Sequence, residues 1–218
     1  MRDSDRGETE FCSPVFDPFY KPGRVEVTLV ARDCNIRSGV IDLHSSYHSA
    51  FQAPTSPLTR FLVDEAATAT LGRRLAPLLA PGMIVWLDGD LGAGKTTLVR
   101  ALLYELGHVE SVKSPTYSLV EVYVVSSLYL YHFDFYRFNS PEEFVDAGLD
   151  EYFRGDGICL VEWPKKAAGF IPSADLSLAL LFPDNQPEGG RIVQLQAGTE
   201  RGAACLSALE NLTPSGAN

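Results

Sequence analysis

The sequence has no apolar run approaching the ~20 residues that a membrane-spanning helix needs, which excludes a transmembrane segment of that kind. Residues 1–20 lack the basic start and apolar stretch of a secretory signal, and acids at Asp3, Asp5, Glu8 and Glu10 fit a mitochondrial transit peptide poorly. Cysteine is scarce. Cys12, Cys34, Cys159 and Cys205 show no CxxC spacing and no neighbouring histidine set, so neither a zinc site nor a disulfide framework is expected. A reducing cytoplasm is the expected compartment. Basic residues are also few: 18 Lys+Arg stand against 28 Asp+Glu, a formal net charge of −10. Such a chain gains little from counterion release, so any service to nucleic acid is expected to run through a partner.

What is present is a globular composition, 45% hydrophobic and 21% charged in 218 residues. At ~150 residues per domain this allows one domain with an appendage. Residues 1–57 carry turn-like pieces around a strand-like stretch, Arg24 to Ala31, and are expected to be a poorly ordered extension without a chemical motif. Residues 58–210 are expected to form the functional domain and 211–218 a tail.

From Asp64 the pattern sharpens. Asp64 caps a predicted helix whose apolar positions are Ala67, Leu71, Leu75, Leu78 and Leu79, stopped by Pro81-Gly82. Met83–Leu87 reads as a buried strand, and a Gly-rich loop leads to a helix from Lys95. Leu98, Val99, Leu102, Leu103 and Leu106 form the inner stripe of that helix, and Gly107 its cap. Tyr117–Val125 and Tyr129–Phe138 read as a hairpin. In its second arm, Leu130, His132, Asp134 and Tyr136 share the face opposite Tyr129, Tyr131, Phe133 and Phe135. Ser140-Pro141-Glu142-Glu143 opens a short helix with a capping box. Strands follow at Ile158–Val161, Leu176–Phe182 and Arg191–Ala197, and a last helix at Ala203–Leu209. Interleaved helices and strands with two hairpins predict an α/β fold with a mixed sheet.

Gly89-Asp90-Leu91-Gly92-Ala93-Gly94-Lys95-Thr96 satisfies G-x-x-x-x-G-K-S/T in full, between an apolar strand and an amphipathic helix. Its three glycines let consecutive N–H groups point at phosphate oxygens, and the helix start adds its positive end. Lys95 suits the β- and γ-phosphates, and the Thr96 hydroxyl suits Mg²⁺. Asp90, Leu91, Ala93 and the following Thr97 complete the candidate nucleotide-binding stretch. Phosphoryl chemistry also needs an acid at a neighbouring strand end, and Asp134 and Glu162 both qualify. His132, beside aromatics, reads equally well as a core residue, and Trp163 as a nucleotide cover or a packing residue.

Together, Gly89–Thr96, Lys113–Tyr117, His132–Arg137 and Glu162-Trp163-Pro164 resemble the TsaE family, the small bacterial P-loop ATPases of tRNA threonylcarbamoyladenosine biosynthesis. The resemblance spans roughly residues 58–200 and leaves out the N-terminal extension. It implies a single-domain P-loop NTPase fold, a mixed sheet flanked by helices, with ATP and Mg²⁺ as cofactors. It implies an ATPase acting on TsaB and TsaD, which carry out the transfer to adenosine 37 of tRNA. Thr96 and Glu162 would then be metal ligands, and Asp134, with Lys95, catalytic. Asp134 would orient or deprotonate the attacking water, and alternation, which puts His132 and Tyr136 on the same face, would let them help to hold it. Lys113–Tyr117 would be a switch loop, with Thr68 and Arg191 approaching the nucleotide. Two other readings remain open. One is a small-molecule kinase, disfavoured by the absence of an Arg-rich lid. The other is an adaptor that binds nucleotide without hydrolysing it. No Asn is followed by Lys, so the guanine-reading N-K-x-D motif is absent and GTP is disfavoured.

Overall fold

The computed structural model describes residues 57–183 and 189–211. The expected extension, its strand-like Arg24–Ala31, the tail beyond Asn211, and Cys12 and Cys34 all lie outside the described residues. Seven strands form one mixed sheet in the order β1-β7-β6-β2-β5-β4-β3. The strands are β1 (Leu58–Leu62), β2 (Ile84–Asp88), β3 (Val120–Val125), β4 (Leu128–Asp134), β5 (Ile158–Glu162), β6 (Leu176–Leu181) and β7 (Arg191–Ala197). The centre is parallel, with β2 paired to both β5 and β6 and β4 to β5. The β3–β4, β6–β7 and β1–β7 pairs are antiparallel. This is the mixed P-loop architecture expected from the sequence.

Alternation along the central strands divides the core into two. Val85, Leu87, Leu130, Ile158 and Leu160 face the side covered by α1 (Glu65–Leu75), α2 (Lys95–Leu106) and α4 (Glu200–Asn211). Phe133, Cys159 and Val161 face the other side, packed with Phe135, Phe138, Phe144 and Leu149 around α3 (Glu143–Asp146) and the 3₁₀ turn Leu149–Arg154. Burial pushes the Cys159 thiol up to about 12, so it packs here as a small hydrophobe.

Helix α1 begins as expected: the Asp64 carboxylate accepts from the Ala67 N–H at 2.7 Å. It crosses α2 at Gly72, where a Cβ would lie 2.4 Å from the Leu98 carbonyl oxygen. That close approach sets Thr68, one turn earlier, against Gly94 of the glycine loop.

Several expected boundaries shift. The second hairpin arm ends at Asp134 rather than Phe138, because the Asp134 carboxylate captures the Tyr136 N–H at 2.9 Å and turns the chain. The first arm begins at Val120 rather than Tyr117, since a turn brings the Leu119 N–H to the Pro115 carbonyl at 2.7 Å. Helix α3 begins at Glu143. The capping-box contact nevertheless forms, with Glu143 accepting from the Ser140 N–H at 3.1 Å. Helix α4 starts at Glu200 instead of Ala203, because Thr199 supplies a hydroxyl cap to the Gly202 N–H at 3.2 Å. Strand β1 was not foreseen.

Candidate functional site

The site forms where the α2-facing side of the sheet turns from apolar to ionisable. Along β4 the residues on this face run Leu130, His132, Asp134, and along β5 they run Ile158, Leu160, Glu162. Parallel pairing sets Asp134 opposite Glu162, at the carboxyl ends of the strands. Open α/β sheets bind ligands at such ends. Strand β2 ends beside them at Asp88 and passes into the glycine loop. Lys95, Asp134 and Glu162 are only 4%, 3% and 3% exposed, so a cation and two carboxylates share one desolvated corner.

Gly89, Gly92 and Gly94 all take positive φ, at 137°, 78° and 107°. This is the backbone freedom that the loop requires. Gly89 is also sterically confined: a Cβ there would sit 2.3 Å from the Leu180 carbonyl oxygen, whereas one at Gly92 meets nothing within 4 Å. Gly89→Ala should therefore cost clearly more stability than Gly92→Ala in urea denaturation, because the backbone clash adds to the ~1–3 kcal/mol of local strain. Gly92→Ala should cost only the ~1–2 kcal/mol of a left-handed alanine. Equal losses would mean that the Leu180 contact does not constrain the loop.

The Lys95 ammonium donates to the Gly89 carbonyl at 2.7 Å and the Asp90 carbonyl at 3.0 Å. It also lies 4.1 Å from the centre of a Trp163 ring. Burial lowers the Lys95 pKa, and the charges of Glu162, Asp134, Asp88 and Asp90 partly oppose that shift. Thr96 Oγ1 donates to Glu162 Oε1 at 2.8 Å, and His132 Nε2 lies 2.9 Å from the same oxygen. Asp134 accepts from the Ser114 hydroxyl and from the Tyr136 N–H. His132 and Asp134 share one face as expected, and the ring lies against Glu162. The short Asp134 carboxylate is taken by Ser114 and Tyr136, while the longer Glu162 side chain spans the diagonal to His132.

Two concavities flank the glycine loop. One, about 450 Å³, is lined by Leu91, Lys95, Thr96, Ser114, Asp134, Glu162 and Trp163 among others. The other, about 370 Å³, is lined by Thr68, Gly92, Ala93, Gly94, Thr97, Arg191 and their neighbours. The Arg191 guanidinium donates to the Gly92 carbonyl at 3.2 Å, and Thr97 to Glu65 at 3.2 Å. Thr68, Arg191 and Trp163 therefore meet the loop from separate elements. Trp163 stands at a left-handed φ of 59° directly after Glu162, a strained conformation of the kind stored at functional sites. A larger concavity, about 700 Å³, lies between the end of α2 and β3, but its Glu110, Lys113 and Glu121 are all exposed, unlike the buried Lys95, Asp134 and Glu162.

Lys113–Tyr117 reaches the site through two members. Ser114 holds Asp134, and Thr116 lines the same cleft, while the Tyr117 ring packs under the Arg137 guanidinium at 4.1 Å. The Ser114 partnership was not foreseen, because no spacing links a loop hydroxyl to a carboxylate on a later strand. Among the described residues, no cluster of three or more His, Cys, Asp or Glu could hold a metal. The adjacent Thr96 hydroxyl and Glu162 carboxylate instead suit a hard cation that takes one or two protein oxygens and completes its shell with phosphate and water. That is the habit of Mg²⁺.

Residues 62–191 match the profile of the family described as "Threonylcarbamoyl adenosine biosynthesis protein TsaE". The chain is 41% identical over 159 residues to the Haemophilus influenzae tRNA threonylcarbamoyladenosine biosynthesis protein TsaE, covering 71% of this chain and 98% of that protein. It is 39% identical over 118 residues to the Bacillus subtilis protein of the same description, covering 54% of this chain and 73% of that one. Among solved structures it is similar to Bacillus subtilis YdiB, with a TM-score of 0.61 and 29% identity. That alignment covers 73% of this chain and 97% of the other.

Proposed function

The chain belongs to the TsaE family, and from that premise we propose that it binds and hydrolyses Mg·ATP and acts on a complex of TsaB and TsaD in the cytoplasm. It would reach tRNA only through that complex, in keeping with its net charge of −10. The observation that carries the reading is the complete glycine loop facing two buried carboxylates in register, Asp134 and Glu162.

In this reading the triphosphate lies along the loop and the start of α2, whose first-turn amides have no intrahelical partner. Lys95 turns from the Gly89 and Asp90 carbonyls onto the β- and γ-phosphates, exchanging two neutral acceptors for anionic ones. Thr96 and Glu162 would hold Mg²⁺, which when bound would supply positive charge to the phosphate oxygens. Thr68 and Arg191 support the nucleotide from the other side of the loop, and Trp163 covers Lys95. Asp134 accepts a hydrogen bond from the attacking water. As the water oxygen bonds to the γ-phosphorus, the bond to ADP breaks and the water's proton passes to Asp134. Ser114, which holds Asp134 in the structure, must share or yield that carboxylate, and this ties Lys113–Tyr117 to the state of the γ-phosphate.

The test is phosphate release from Mg·ATP by the chain alone, by TsaB with TsaD, and by all three together. Slow release alone and clear stimulation in the three-component mixture are expected, since a partner can supply transition-state charge in trans. A mixture no faster than its separate parts would overturn the partner assignment. No ATP-dependent release under any condition would overturn the enzyme assignment.

A further inference from the structure

His132 has no exposed surface, and on its own face of the sheet it lies between Leu130 and Asp134 and opposite Leu160. An apolar residue would suit such a position for packing alone. The imidazole is instead used on one edge only. Nε2 lies 2.9 Å from Glu162 Oε1, while Nδ1 is buried without a hydrogen-bond partner. A buried polar atom left unpaired is costly, so the other nitrogen must return something that a phenylalanine could not. An ionised carboxylate oxygen only accepts, which makes Nε2 the protonated nitrogen.

The same Oε1 also accepts from Thr96 Oγ1 at 2.8 Å. Two donors from different elements, α2 and β4, thus converge on one oxygen of Glu162. No hydrogen bond among the described residues reaches Oε2. We propose that His132 is a positioning residue: by donating to Oε1 it fixes the Glu162 carboxylate so that Oε2 serves the divalent cation held with Thr96. The donation also makes Oε1 a poorer competitor for the cation, which biases the ligand to a single oxygen. This follows the general pattern in which outer partners set the orientation of metal-binding side chains. It rests on the metal-binding reading above and assigns to His132 a role that fold stability alone does not require.

Mn²⁺ can stand in for Mg²⁺ and be followed by electron paramagnetic resonance, with the full chain and a non-hydrolysable ATP analogue. His132→Leu should weaken Mn²⁺ binding ~10–100-fold, the usual effect of losing an outer partner, while metal-free binding of the analogue stays unchanged. His132→Gln, whose amide can donate to the same oxygen, should recover most of the affinity. If wild-type protein with analogue binds no Mn²⁺, the metal-binding reading and this inference both fail. If wild type binds and His132→Leu binds equally, this inference alone is overturned. Should the leucine variant not fold, nitrogen NMR of the wild-type imidazole decides. A protonated Nε2 is expected, and a bare Nε2 facing Glu162 would sink the assignment.

Discussion

Lys95→Ala should reduce the affinity for Mg·ATP by ~30-fold or more while leaving the fold intact. Truncating one member of a buried charge pair costs ~2–5 kcal/mol, and each ~1.4 kcal/mol is a factor of ten. The fold should tolerate the change because Lys95 is a burden on it before nucleotide arrives. Its ammonium is almost wholly buried, and its two hydrogen bonds go to neutral carbonyls. Desolvation lowers its pKa below the ordinary 10.5. Between the lowered value and 10.5 the unfolded chain holds more protons at this site than the folded one, so folding stability rises with pH there. Below that window the burden is present in full. Wild type should therefore gain stability relative to Lys95→Ala as pH climbs towards 10.5, measured by urea denaturation at a series of pH values. Isothermal titration with unchanged ATP affinity would remove the glycine loop from the nucleotide site. A large fall in stability at neutral pH would instead make Lys95 a structural residue whose loss deforms the loop.

How far the sequence revealed this arrangement depends on the range of the interactions involved. The loop, its strand and its helix were legible because their signals are local. Three glycines, an apolar run and a 3.6-residue stripe each describe neighbouring residues. Alternation along β4 likewise put His132 and Asp134 on one face, and the strand Arg191–Ala197 emerged with its bounds intact. What the pattern could not give was which neighbouring side chain each residue meets. Alternation alone sets His132 beside Asp134, two positions along the same strand. Its partner is Glu162, and that follows only once β4 and β5 are known to pair in parallel, with Asp134 opposite Glu162. Strand β1 was invisible for a related reason. Leu58–Leu62 has a mostly exposed surface and little alternation, and its place depends on an antiparallel edge pairing with the distant β7. The end of β4 was missed because the Asp134 carboxylate, which also serves the site, bonds the Tyr136 amide and breaks the extended run. One side chain thus sets both a boundary and a site geometry, and periodicity cannot see either.

Asp134→Asn separates the two carboxylates by function. Both are buried and in register, yet their partners differ: Glu162 is held by Thr96 and His132, and Asp134 by Ser114 and the Tyr136 amide. The Glu162 set leads to the glycine-loop helix, where a cation would sit. The Asp134 set leads to Lys113–Tyr117, on the side where a water could approach the γ-phosphate. An asparagine keeps the size of the side chain, and its carbonyl oxygen can still accept from Tyr136 N–H. It removes the charge and the ability to take a proton. Binding of Mg·ATP should therefore stay within a few-fold of wild type, because Lys95, Thr96, Glu162 and the loop amides are untouched. Hydrolysis should fall ~10²–10⁴-fold, the usual contribution of a positioned acid–base group, and should stay low when TsaB and TsaD are present. The contrast with Glu162→Gln gives the result its meaning. That change weakens the hold on the cation, so part of its hydrolysis defect should recover at high Mg²⁺, whereas no Mg²⁺ concentration should rescue Asp134→Asn. Single-turnover phosphate release over a Mg²⁺ series, with nucleotide binding measured in parallel, reads both. If Asp134→Asn is the variant that Mg²⁺ rescues, or if it loses binding but turns over bound ATP normally, Asp134 belongs to the metal site. The role of orienting water then passes to Glu162 or to a residue supplied by a partner.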